Sequence, residues 1–269
     1  MLTNLCTFCY NIHVATDKGE IRMDQNDRKR THVTFAPTTG TPLLFCTPAQ
    51  ATALLLEERK PVFLVRHGLT DWNIQMRLQG REDIPLSEEG RRQALHCASF
   101  LGGALVTNKL KMQKVYTSPL MRAYDTASYI CESLLLEGPA IEGGLIERDY
   151  GSLSGLTPAK KKEMYPTPAE YPKDVESIPH AAQRMKRTLS QLCSASAEQG
   201  IVAVTHGGIM NALFSSLTGG RAGLGPNITQ NCTVAMVAVG KYDIIPLSFN
   251  LTAHVFPEYV REIDFPISV

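Results

Sequence analysis

Two histidines of this chain each follow a short apolar run and precede a glycine. PVFLV at 61–65 leads into Arg66-His67-Gly68, and IVAV at 201–204 leads into Thr205-His206-Gly207-Gly208. Buried strands of a parallel sheet read as such runs, and ligands of α/β proteins gather beyond the carboxyl ends of those strands. Both imidazoles are therefore expected at one sheet edge. A third segment, KVYTSPLMRAYDTA at 114–127, ends a strand at Ser118-Pro119 and delivers Arg122 to the same edge on the first turn of a helix. Two imidazoles and the guanidiniums of Arg66 and Arg122, aimed at one small volume, are too costly to bury unless an anion shares it. A phosphoryl group is the small anion that fits, because planar guanidinium forks match its oxygens in a way lysine does not.

The elements that must position these groups alternate from residue 61 onward. Ser87 can cap a helix whose first turn carries Glu88 and Glu89, with Ala94, Leu95, Ala98 and Leu101 on one face. A strand at 114–117 precedes a helix expected from Ser118-Pro119 to about Leu136. Another helix starts at Thr157-Pro158 and stops at Pro166, and a longer one is expected over 180–199, ending at Gly200. A strand at 201–205, a helix bearing Met210, Leu213 and Phe214, and two late strands near 232–239 and 242–249 complete the set. This order predicts an α/β fold with a doubly wound, mostly parallel sheet and helices on both faces. Residues 61–269 form the domain in this reading, and 1–60 an N-terminal extension, partly irregular. Within the extension, Asp17 to Thr41 lacks periodicity, while TPAQATALLLEERK reads as a short helix with Thr47 and Pro48 at its start.

Five blocks resemble the histidine phosphatase superfamily, in that family's order: VRHGLTDWN at 65–73, QGREDIPLSEEGRRQA at 79–94, TSPLMRAYDTA at 117–127, LIERDYGSLSGL at 145–156 and VTHGG at 204–208. The resemblance implies a phosphoglycerate mutase-like fold and a phosphohistidine formed on His67. Chemistry agrees, since a neutral imidazole is nucleophilic at pH 7 without a metal or a neighbouring base. Arg66, Arg122 and His206 are then the groups around the phosphoryl oxygens, and Glu147 is the general acid and then base. Gly68, Thr70, Asn73, Gln79, Gly80 and Gly207 fall on substrate-contact positions. Arg148 and Tyr150 match the residues that, in the mutase version, meet the substrate's carboxylate end.

Composition sets limits on other functions. A net charge of +1 with 20% charged residues gives no long-range field for nucleic acid or an anionic membrane. The longest apolar runs are of strand length, so no membrane span is expected, and the first residues lack a basic leader. Seven cysteines without framework spacing point to free thiols and a cytoplasmic protein. Cys6, Cys9 and His13 could supply half of a zinc site, but no second ligand pair follows at the usual distance, so no metal and no cofactor are expected. The partner expected is a small phosphorylated metabolite.

Within the family the choice lies between phosphatase and mutase. LIERDYGSLSGL looks like the mutase version. Against it, the mutase's lysine after that motif falls on Pro158, its paired arginines have no equivalent in TPAEYPKDVESIP, its His-Gly-Asn is His206-Gly207-Gly208, and NCTVAMVAV resembles phosphatase members. A short segment before residue 180 leaves an open site that admits water. A metal-independent phosphatase for a small anionic ester is the expectation, with a mutase second. A non-catalytic scaffold or metabolite-binding protein would show a missing nucleophile or acid, and neither is missing.

Overall fold

The computed structural model describes residues 43–46, 51, 55, 59–107, 112, 114–197, 200–251 and 261–262. Eight strands form one mixed sheet: β1 (Leu43–Leu44), β2 (Lys60–Arg66), β3 (Val115–Thr117), β4 (Ala140–Ile141), β5 (Ile201–Thr205), β6 (Val234–Val239), β7 (Ile244–Leu251) and β8 (Arg261–Glu262). Their spatial order is β4-β3-β5-β2-β6-β7-β1-β8. The neighbours from β4 to β2 are parallel, whereas β6 and β7 return antiparallel beside them. Leu43 and Leu44 pair with Phe249 and Ser248, so residues from before 61 extend the same sheet.

Among the described residues, six α-helices have defined bounds: α1 (Asp71–Ile74), α2 (Glu88–Thr107), α3 (Met121–Ser133), α4 (Pro158–Met164), α5 (Ile178–Ala195) and α6 (Gly207–Thr218). Successive side chains of a strand point to opposite faces, and β2 divides accordingly. Phe63 and Val65 pack with Ala98 and Leu101 of α2 and Ala127 and Ile130 of α3. Val62 and Leu64 pack with Met185 and Leu189 of α5 and Leu213 and Phe214 of α6. Helices thus cover both faces, which is why β2 and β5 are apolar at consecutive positions. At the site edge, a Cβ on Gly68 would strike the Gly90 carbonyl and one on Gly90 the Leu69 carbonyl, so the loop after β2 lies backbone to backbone on α2.

Several boundaries differ from the sequence expectation. Ser87 caps α2 as expected, through Gly90 N–H at 3.0 Å, but Leu95 stands 49% exposed beside the buried face of Ala94, Ala98 and Leu101. Helix α3 begins at Met121, not Ser118, because the Ser118 N–H still extends the strand ladder to the Val204 carbonyl at 3.0 Å. Helix α5 ends at Ala195, short of Gly200. There Lys60 Nζ donates to the carbonyls of Cys193 and Ser196 and so satisfies the helix end. The expected start of α4 holds, with Thr157 as its cap. Ala51 and Leu55 are helical and buried; the Thr47-Pro48 start of that helix lies outside the described residues. Cys46, Cys97, Cys131, Cys193 and Cys232 are free thiols.

Candidate active site

The register of the parallel strands assembles the cluster. Arg66 pairs with Thr205 across β2 and β5, so Arg66-His67 and His206 leave the sheet side by side. Their rings stand 5.1 Å apart between centroids, tilted by 57°. Beside β5, Thr117 of β3 pairs with Val204, which sets Ser118 next to His206 with Oγ 2.6 Å from Nε2. Arg122 lies in the first turn of α3, as its second residue, and is fully buried.

His67 is buried, and its Nδ1 donates to the Gly68 carbonyl at 2.7 Å. That bond assigns the proton to Nδ1 and leaves the Nε2 lone pair free. Burial first, then the charges of Arg122 and Arg66, pushes the imidazole well below its ordinary pKa, so it is neutral. His206 is lowered in the same way, by burial and then by Arg122, His67 and Arg66.

The guanidiniums are partly tied and partly unsatisfied. Arg66 Nη1 donates to the Thr229 carbonyl at 2.6 Å, and a Cβ on Gly207 would come within 3.0 Å of its Nε. Arg122 donates through Nη1 to the Glu82 carbonyl at 2.7 Å and through Nη2 to the Gly80 carbonyl at 2.8 Å. Burial lowers Arg66, and it lowers Arg122 to about 10 against the opposing charge of Glu147. Among the described residues, Nε of both arginines, Nδ1 of His206 and Oε1 of Gln79 are buried without a hydrogen-bond partner. Buried polar atoms are nearly always paired, so unpaired donors clustered on two arginines and a histidine mark where an anion's oxygens belong.

Glu147 closes the cluster from a loop and is itself buried. Its Oε2 accepts from Gly208 N–H at 2.9 Å, and its Oε1 from Ile209 N–H at 2.8 Å and Arg148 N–H at 2.7 Å, so it sits at the start of α6. Tyr150 stands alongside: a Cβ on Gly208 would meet its hydroxyl at 2.6 Å and Glu147 Oε1 at 2.8 Å. Burial, then Glu147, raises the Tyr150 phenol, keeping it a neutral donor.

The other expected contact residues have structural partners of their own. Thr70 caps α1 in a reciprocal box with Asn73, whose Oδ1 also accepts from Asn231 Nδ2 at 3.3 Å. Gly80 takes φ +54° and offers its carbonyl to Arg122. Arg148 donates from Nε to the Glu176 carbonyl at 2.6 Å and lies 5.2 Å from the centroid of the Tyr150 ring. Among the described residues no group of three His, Cys, Asp or Glu side chains could hold a metal ion. Cys6, Cys9 and His13 lie outside those residues.

Three residues join the site that sequence reasoning gave no part in it. Asn231 Nδ2 donates to the His67 carbonyl at 3.0 Å and the Gly68 carbonyl at 3.2 Å, holding the loop that carries His67. Arg184 of α5 grips the Glu147 loop through the carbonyls of Gly144 at 2.9 Å, Ile146 at 2.8 Å and Glu147 at 3.3 Å. The Glu176 carboxylate fixes that guanidinium at 3.0 and 2.8 Å. Arg184 reads in sequence as one more polar residue of an amphipathic helix; Asn231 stands in a quoted motif but carries no chemistry of its own.

A buried set of guanidiniums and neutral imidazoles at the carboxyl edge of a doubly wound sheet is the architecture of a phosphoryl-handling enzyme class. The profile of the histidine phosphatase superfamily (branch 1) matches residues 62–252, and the chain belongs to that family. It is 31% identical over 194 residues to the uncharacterized phosphatase PhoE of Bacillus subtilis, covering 72% of this chain and 95% of that protein. Phosphoserine phosphatase 1 of Hydrogenobacter thermophilus is 30% identical over 216 residues, covering 74% and 96%. The solved mycobacterial glucosyl-3-phosphoglycerate phosphatase in complex with VO3 superposes with a TM-score of 0.57 at 29% identity, over 66% of this chain and 92% of that one. Proteins named phosphoglycerate mutases are also among its relatives. No helix of the described residues is long and apolar enough to cross a membrane.

Proposed function

We propose that this protein is a metal-independent phosphatase that hydrolyses a small, anionic phosphate monoester through a phosphohistidine on His67. The observation that carries the reading is His67 itself: buried, neutral, its Nδ1 spent on Gly68, and its free Nε2 flanked by two guanidiniums with unpaired Nε donors. Nε2 attacks phosphorus as the ester oxygen leaves, and Arg66, Arg122 and His206 take up the charge of the transferring oxygens. Glu147 protonates the leaving alkoxide, then removes a proton from the water that attacks phosphohistidine. Its proton balance thus closes over one turnover.

Gly208 favours water over a second sugar acid as acceptor. A Cβ at 208 would meet the Tyr150 hydroxyl at 2.6 Å and Glu147 Oε1 at 2.8 Å, so a side chain there would have to displace one of them, and this chain carries no counterpart of the gripping group in a mutase's His-Gly-Asn. The names of the phosphatase relatives point to esters that also carry a carboxylate, phosphoserine and glucosyl-3-phosphoglycerate, and such a doubly anionic ester suits a cleft with this many donors. The five cysteines among the described residues stand outside any disulfide, which supports a reducing compartment, the cytoplasm.

The test is phosphate release from a panel of phosphorylated metabolites, with His67→Ala as control and no bisphosphoglycerate primer. Isomerisation of 3-phosphoglycerate far faster than phosphate release, once primed with 2,3-bisphosphoglycerate, would establish a mutase instead.

A further inference from the structure

We propose that Ser118 is a positioning residue that fixes His206 as its Nδ1–H tautomer, so that a neutral imidazole presents a donor to the phosphoryl group. The role presupposes the phosphoryl-binding reading of the cleft given above. Ser118 and His206 are both fully buried. A neutral imidazole owns a single N–H, and the two tautomers place it on opposite sides of the ring. With the proton on Nε2, a bare Nδ1 lone pair would face an anionic oxygen; with the proton on Nδ1, the same atom donates. Nδ1 is the ring nitrogen left without a partner. A third state, the imidazolium, is opposed first by burial and then by the guanidiniums of Arg122, Arg66 and Arg184.

The direction of the hydrogen bonds decides which tautomer is held. Leu120 N–H donates into Ser118 Oγ at 3.3 Å, and that Oγ lies 2.6 Å from His206 Nε2. A hydroxyl that accepts one bond donates the next more strongly, so the chain runs from Leu120 N–H through Ser118 O–H to Nε2. The Ser118 main chain is held in line with β3 by its N–H bond to the Val204 carbonyl at 3.0 Å, so the hydroxyl starts from a fixed point beside the ring. Serine supplies here what a carboxylate or carbonyl could not: a donor toward Nε2.

The tautomer is read directly from the ring nitrogens of His206 by 15N NMR on the full chain, with and without inorganic phosphate. In the unsubstituted protein Nδ1 should be pyrrole-like and Nε2 pyridine-like. Ser118→Ala should mix or invert the two signals, weaken inhibition by phosphate about tenfold, and lower kcat/KM by roughly 10- to 100-fold, as for a weakened oxyanion donor. Ser118→Thr, which keeps the hydroxyl, should restore both the signals and the rate. A pyrrole-like Nε2 in the unsubstituted protein would overturn the assignment. So would unchanged signals in Ser118→Ala, even if that variant melts at a lower temperature. Should the unsubstituted protein cleave no phosphate ester, the phosphoryl reading fails, while the nitrogen signals still decide what Ser118 does.

Discussion

The two halves of the sheet do different work. Across β4-β3-β5-β2 the strands are parallel, and their carboxyl ends project side chains that can react or bind: Arg66 and His67 after β2, Ser118 after β3, His206 after β5. Across β6 and β7 the strands are antiparallel and every residue of β6 is buried. The loop entering β6 still reaches the site, but through its backbone and amides. Thr229 lends its carbonyl to Arg66, Cys232 N–H bonds the Arg66 carbonyl at 3.1 Å, and Asn231 holds the His67 and Gly68 carbonyls. Asn250 of β7 in turn anchors that loop, accepting from Gln230 N–H at 3.1 Å and donating to the Ile228 carbonyl at 2.8 Å. One half supplies chemistry and the other supplies geometry, and substitutions in the two should fail in different ways.

The largest effect belongs to the chemical half. His67→Ala should abolish turnover, by roughly five or more powers of ten, as expected when a covalent nucleophile is removed. Labelled phosphate trapped on the protein after that change would show that another group is the nucleophile. Glu147→Gln removes acid-base help and keeps the bond-forming atom, so a loss of roughly 10² to 10⁴ is expected. Its signature is a smaller penalty on esters with good leaving groups; an equal loss on all esters would assign Glu147 a structural role.

Acidification tests the same half through stability. Both His67 and His206 have folded pKa values well below 6.5, so below pH 6.5 the unfolded chain binds protons that the folded chain refuses. Stability then falls as pH falls, by about 1.4 kcal/mol per pH unit for each histidine. Asp174 and Glu176, lowered in the folded state, lose their contributions only at more acid pH, and Asp125, raised by burial, acts in the opposite sense, so a fall in stability between about pH 5 and 6.5 belongs to the histidines. Urea unfolding across that window should show a slope that His206→Gln roughly halves. A slope unchanged in that variant would mean that His206 is charged in the folded protein.

These differences also explain what was legible beforehand. Chemistry demands particular residue types, so Arg66, His67, Arg122, Glu147 and His206 could be named from motifs, and the alternation of apolar runs with helical patterns gave the layered α/β sheet. The supporting half acts through backbone atoms, which every residue possesses, and through Cys232 at φ +52°, a conformation that cysteine does not advertise. Lys60 ending α5, and Arg184 bracing the Glu147 loop, depend on contacts made across more than 30 residues of chain. No local pattern carries them.

The supporting half predicts a smaller loss of another kind. Asn231→Ala leaves every charged group in place but frees the carbonyls of His67 and Gly68, and with them the acceptor of the His67 Nδ1 bond. A fall in kcat of roughly tenfold, a stability cost of about 1 kcal/mol and little change in KM are expected, as for the loss of one buried hydrogen-bonding amide. Asn231→Asp should not rescue it, since a carboxylate cannot donate. A KM that rises while kcat holds would place Asn231 against the substrate and erase the distinction between the halves.

The smallest effect expected is none. In the proposed mechanism Arg66 and Arg122, with their unpaired Nε donors, bring two positive charges to the phosphoryl oxygens and do the work of charge neutralisation that a divalent ion does elsewhere. Dialysis against EDTA should therefore leave the initial rate of phosphate release unchanged, and added Mg²⁺ or Zn²⁺ should not raise it. The supporting half offers no escape from this test, because its contacts are carbonyls and amides already bonded to the chain. Activity lost on chelation and recovered with one of those ions would mean that the guanidiniums hold the substrate without carrying its charge through the transition state, and the division of labour across the sheet would have to be redrawn around the metal.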